Sequence, residues 1–114
     1  MAKRINERIN YIIQHIDLVL SDTKDASIDD LKENSLLLRA TCFSISQIGE
    51  AMNKLKELIG EKYPDLPWID AKTMRNVIVH DYKNVVVKQV YGTIKNDLPV
   101  LKEAFERIKN EMAN

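Results

Sequence analysis

The chain has little of what marks several large classes of protein. Its single cysteine cannot form an intrachain disulfide. That residue, Cys42, sits in the apolar run Leu36-Leu37-Leu38-Arg39-Ala40-Thr41-Cys42-Phe43, a setting for a small buried thiol rather than a reactive one. The three glycines, Gly49, Gly60 and Gly92, lie far apart, which excludes a glycine-rich phosphate loop. No run of about 18 apolar residues is present to cross a membrane. The start, Met1-Ala2-Lys3-Arg4-Ile5-Asn6-Glu7-Arg8, lacks the uninterrupted apolar stretch of a secretory signal. These absences lead us to expect a soluble, cytoplasmic protein with no membrane association. Net charge is also lacking, because seventeen basic and seventeen acidic side chains cancel. RNA or DNA therefore cannot be held by a generally positive surface, and would need a local basic cleft, for instance one assembled between subunits. Of the two histidines, His15 and His80, neither follows a glutamate by three residues, so the Glu-x-x-His pairs of a di-iron bundle are missing. We expect no metal and no cofactor.

What is present is helical periodicity. At 114 residues the chain is long enough to close one core, and we expect a single domain over 1–114. Ile5, Ile9, Ile12, Ile13, Ile16, Val19 and Leu20 recur at spacings of three and four, which predicts an amphipathic helix over about 3–21. Ser21-Asp22-Thr23-Lys24-Asp25 breaks it. Ser27 and Asp30 then resemble a capping box that opens a long second helix ending at Leu58 or Ile59, where Gly60 is placed to cap it. Leu38, Ile45, Ile48, Met52, Leu55 and Ile59 form its seam. The stretch from Leu36 to Phe43 is apolar almost all the way round, so it should be covered on more than one side, by bundle neighbours or a second subunit. Tyr63-Pro64-Asp65-Leu66-Pro67 cannot continue a helix. A third helix begins near Trp68 to Asp70 with Ala71, Met74, Val77 and Ile78 inward, and a last helical stretch runs from about Val85 to Met112. Pro99 either kinks that stretch or restarts it. The expected fold is all-α, an up-and-down bundle of four or five helices.

The chemistry is concentrated in Arg75-Asn76-Val77-Ile78-Val79-His80-Asp81-Tyr82. Imidazole gives and takes protons near neutral pH, and guanidinium is the planar cation that best matches a phosphate. On an ideal helix Asn76 and His80 share a stripe about 40° apart, opposite the Met74 seam, while Arg75 lies about 140° round from His80. Stacking alone does not join arginine and histidine; the long arginine arm or a helix ending near His80 must do so. An arginine and a histidine near a helix end are otherwise ordinary surface or capping residues. Gly49 stands inside the second helix, where glycine costs about 1 kcal/mol relative to alanine, so another backbone should approach closely there. Its neighbour Glu50 is either a solvated acid or a supporting residue that orients Arg75 or contacts a second subunit.

Gln47-Ile48-Gly49-Glu50-Ala51, Lys62-Tyr63-Pro64-Asp65-Leu66-Pro67-Trp68, Arg75 to Tyr82, and Asn96-Asp97-Leu98-Pro99 together resemble, in order and spacing, the HepT-like family of HEPN-domain proteins over roughly 45 to 105. The family's central motif is an arginine followed by a polar residue, then a histidine and a tyrosine two residues later, here Arg75, Asn76, His80 and Tyr82. The resemblance implies a HEPN-like fold and a homodimeric, metal-independent ribonuclease acting as the toxin of a toxin–antitoxin pair. RNA would be its substrate and a minimal nucleotidyltransferase its antitoxin. It also implies that Tyr82 is the tyrosine to which such antitoxins attach AMP. The rival reading is a non-catalytic helical adaptor that binds a nucleotidyltransferase or nucleotide through the same surface.

Overall fold

Isoleucine or valine at positions 5, 9, 12, 16 and 19 gives one stripe along a helix, and burying each such side chain contributes about 1.5–3 kcal/mol. In a computed structural model, which describes residues 2–68 and 86–113, that stripe lies inside helix α1, Ala2–Asp22, with Ile9, Ile12 and Ile16 wholly buried. The helix ends on Thr23, whose amide and hydroxyl both donate to the Val19 carbonyl at 3.0 and 2.7 Å. Thr23 is buried, so the polar break expected after α1 is also an inward anchor.

The capping box forms as the sequence suggests. The Asp30 amide donates to Ser27 Oγ at 3.1 Å, and the Ser27 amide to Asp30 Oδ2 at 2.8 Å. The helix it opens is short, however. α2 spans only Ile28–Glu33, and the long second helix expected from Ser27 is two helices joined at Asn34. Asn34 has φ −99° and ψ 90°, outside the helical region; its amide donates to the Asp30 carbonyl and its Oδ1 accepts from the Leu37 amide at 3.0 Å. Asparagine favours this position because its short side chain replaces a missing backbone partner, a cap worth about 1 kcal/mol. α3 then runs Ser35–Ile59 and buries the seam Cys42, Ile45, Ile48, Met52, Leu55 and Ile59. Gly60 closes α3 in the right-handed conformation, φ −60°, with its amide on the Lys56 carbonyl. A Cβ there would lie 2.5 Å from that oxygen, so glycine is used for a close approach rather than a left-handed turn.

Beyond α3 the proline-containing stretch is pinned from both sides. Tyr63 donates its hydroxyl to Glu111 at 3.0 Å, and the Trp68 indole N–H donates to the Tyr63 carbonyl at 3.0 Å. Trp68 is buried with its ring edge-on to Phe105. The third helix expected after Trp68 lies outside the described residues.

The final stretch is helical throughout but not uniform: α4, Val86–Gly92, passes through a π-helical turn, Thr93–Asp97, into α5, Leu98–Ala113. The Leu98 amide reaches back to the Thr93 carbonyl. Pro99 explains the irregularity, because it has no amide and its ring crowds the carbonyl four residues earlier; a wider turn just upstream accommodates it. Helical structure therefore continues through Pro99. α1 packs on α3 and α5, while α2 packs on α3 and α4. Phe105, Val90, Leu98 and Ile108 complete a common core with α1 and α3. Among the described residues every regular element is helical, and the fold is an all-α bundle.

Candidate functional site

Arg75, Asn76, His80 and Tyr82 lie outside the described residues. What the structure does place is parts of the other three sequence blocks that carry the family likeness. Ile48 and Gly49 from α3, Pro67 from the proline stretch, and Asn96, Asp97 and Leu98 from the π turn and start of α5 line one cleft of about 200 Å³. These residues come from three of the four sequence blocks that carry the family likeness. Gly49 is buried. The cleft floor is apolar, with Ile45, Ile48, Leu98 and Leu101 all buried. Among the described residues its polar side chains are Thr93, Asn96 and Asp97, and the Thr93 hydroxyl is committed to the Gln89 carbonyl at 3.0 Å. Asn96 and Asp97 are exposed at the rim. The sequence marked them only as part of the block Asn96-Asp97-Leu98-Pro99 and gave them no role.

Glu50 falls elsewhere. It is exposed, has a partner within the fold, and lines a shallow groove between α1 and α3 with Arg4, Glu7, Arg8, Gln47 and Lys54. Three cations face two carboxylates there, so this groove is not the strongly basic cleft that RNA would need by charge alone. Tyr11 crosses it, donating its hydroxyl to Gln47 Oε1 at 2.9 Å. Behind Tyr11, His15 stacks at a tilt with ring centroids 4.4 Å apart. His15 is half-buried; its Nδ1 is buried without a hydrogen-bond partner, and burial lowers its pKa. Leu18 on α1 and Leu36 and Phe43 on α3 stand 47 %, 72 % and 61 % exposed. Bundle neighbours therefore cover Cys42 and part of Leu37 and Leu38 but leave Leu36 and Phe43 open. Cys42 is buried, and desolvation pushes its thiol up to about 11, which makes it inert at neutral pH. No helix among the described residues is long and apolar enough to cross a membrane.

Comparison with known proteins adds what the geometry leaves open. The model of the family described as "Ribonuclease HepT-like" matches residues 12–108. This chain belongs to the HepT-like ribonuclease family. Among its HepT-like relatives is "Putative RNase MJ0125" of Methanocaldococcus jannaschii, 31 % identical over 98 % of this chain and 97 % of that protein. "Gamma-glutamylcyclotransferase and putative RNase MJ0434" of the same organism is 32 % identical over 98 % of this chain, which spans only 50 % of that longer protein. "Probable ribonuclease HepT" of Thermococcus cleftensis is 26 % identical over 96 % of this chain and 99 % of its own length. No solved structure matches.

Proposed function

We propose that this HepT-like chain is a metal-independent endoribonuclease, the toxin of a toxin–antitoxin pair, working as a twofold dimer. The observation that carries the reading is Arg75 and His80, with four residues between them, within a chain of this family. The ribose 2′-oxygen attacks the adjacent phosphorus as an imidazole takes its proton, and the bond to the 5′-oxygen breaks as that oxygen gains one. Such proton transfers are each worth about 10²–10⁴-fold. One His80 cannot readily do both at once, and a twofold axis supplies the second copy. Arg75 stabilises the charge that develops on the phosphoryl oxygens, and Asn76 positions the phosphate or the imidazole. Glu50 is assigned a supporting role, orienting Arg75 or contacting the second subunit. The products carry a 2′,3′-cyclic phosphate and a 5′-hydroxyl.

Exposed Leu36 and Phe43 on α3 support a dimer, since an apolar face of this kind is what a second copy would bury. Regulation follows at Tyr82. A minimal nucleotidyltransferase attaches AMP to its phenol, with a nucleoside triphosphate as donor and pyrophosphate leaving. The added phosphodiester then competes with substrate phosphate for Arg75.

The test is digestion of total RNA by the purified protein with a chelator present. Wild type is expected to cut, and His80→Ala and Arg75→Ala to lose cleavage by at least about 10²-fold with unchanged thermal melts. Cutting by His80→Ala at the wild-type rate sinks the assignment. A wild type that cuts nothing and yet binds a nucleotidyltransferase leaves the adaptor reading in its place.

A further inference from the structure

A chain with no net charge needs a local surface to hold the RNA backbone, and the groove between α1 and α3 mixes both signs. One stretch does not. From Tyr82 to Asn96 the sequence carries Lys83, Lys88 and Lys95 and no acid at all. Lys83 lies outside the described residues; the structure places the other two together. Lys88 on α4 and Lys95 in the π turn are seven residues apart, about two helical turns, so they share one side, and both are exposed. Neither has a carboxylate partner among the described residues, whereas Lys102 on α5 is held by Asp17 at 2.7 Å. The Lys95 ammonium stands 5.5 Å from the centre of the Tyr91 ring, which orders the side chain without neutralising its charge.

Between the lysines lies Gly92, four residues after one and three before the other. Its φ and ψ, −60° and −42°, suit any residue, and a Cβ there would meet nothing within 4 Å. Glycine costs a helix stability, so neither the backbone conformation nor the neighbouring atoms account for it. What it provides is a bare patch of helix, between two cations, where a strand of phosphates can come close. The chain also ties this face to the proposed catalytic residues. Eight residues span at most about 29 Å, so Lys88 lies within that distance of His80 however the segment between them runs. We propose that Lys88, Gly92 and Lys95 form a track for the RNA backbone beside the cleavage site, each lysine taking a phosphate and Gly92 letting the strand approach. The inference rests on the ribonuclease reading for the identity of its ligand, and it is tested by binding alone.

The experiment measures the affinity of the full-length protein, across a salt series, for a fluorescent single-stranded RNA of mixed sequence whose 2′-oxygens are methylated, which the proposed reaction cannot cut. Lys88→Gln and Lys95→Gln should each lower the slope of log affinity against log salt by about 0.7, the value for one phosphate contact on a single strand, whereas Lys102→Gln should leave it unchanged. Gly92→Gln should weaken binding severalfold while raising the thermal midpoint, an opposition that a glycine needed by the fold would not produce. If Lys88→Gln and Lys95→Gln leave the slope where it was, or Lys102→Gln lowers it as much, the inference is overturned. Absence of RNA binding overturns it too. Lysine variants that hold RNA as wild type does but sediment at a different mass also overturn it, because the face then meets a second copy of the chain. RNA binding with the expected lysine dependence, together with no cleavage of unmodified RNA, would support the track and sink the ribonuclease reading instead.

Discussion

α1 and the stretch from α4 through α5 bury similar stripes against the same core, yet only α1 is a continuous α-helix. In α1 the buried positions 5, 9, 12, 16 and 19 alternate spacings of four and three, close to the helical repeat, so nothing interrupts the backbone. In the second stretch Val90, Ile94 and Leu98 are spaced four and four. Each four-residue step overshoots an α-turn by about 40°, and two in succession would rotate the stripe out of the core. The wider turn at Thr93–Asp97 absorbs the excess, and all three side chains stay at 2 % exposure or less. The difference teaches where polar groups can be spared for other work. A regular helix sends its polar side chains to solvent on the face opposite its stripe, whereas the irregular turn brings Asn96 and Asp97 to the edge of an apolar cleft.

The comparison can be broken at several points. Phe105→Ala removes the largest fully buried side chain among the described residues, on the irregular stretch, and is expected to cost about 3–5 kcal/mol in denaturant unfolding. A loss under about 1 kcal/mol would mean that this stretch leans on the core less than α1 does. Moving the proline is sharper. Gln14→Pro, at an exposed site in the middle of α1, should cost about 3 kcal/mol or more, whereas Pro99→Ala should change stability by less than about 1 kcal/mol because the π turn already accommodates the ring. If Pro99→Ala stabilises the protein by several kcal/mol, the turn is storing strain rather than absorbing it. Asn34→Ala, at the joint between α2 and α3, should cost about 1 kcal/mol by equilibrium unfolding.

The smallest effect concerns pH. Burial lowers the pKa of His15 from 6.5, so the unfolded chain takes up a proton first as pH falls. Stability should be unaffected by His15 above that value. It should decline as pH drops from 6.5 towards the folded-state pKa, and level off below. His15→Gln should flatten that part of the profile, and parallel profiles for the two proteins would count against burial as the cause.

The stripe of α1 and the capping box at Ser27 and Asp30 were legible in the sequence, because periodicity and a short-range hydrogen-bond pattern are local properties. The joint at Asn34 was not. Leu31, Leu37 and Leu38 continue the apolar spacing across it, and a single asparagine that caps one helix while ending another leaves no gap in that pattern. The π turn was hidden similarly, behind spacing that looks helical until each four-residue step is followed round the axis. For the candidate site, Gly49 could be read as a place of close approach, and the structure puts it at a cleft. Its meeting with Pro67 and Asn96 depends on how α3 packs against the final stretch, which no local pattern contains. Glu50 was read as exposed and polar, and lies in the α1–α3 groove rather than beside that cleft.

Cys42 gives the molecule an internal clock. The residue is 4 % exposed on the inner side of α3, and with its thiol pKa pushed up to about 11 it is almost wholly protonated at neutral pH. A thiol-specific reagent can therefore react only when α3 lifts from its neighbours and water reaches the sulfur. Since no other cysteine competes for label, the rate of single-site modification counts those openings directly. Anything that clamps α3, whether a second subunit or an occupant of the adjoining cleft, would slow that count in proportion to how tightly it holds.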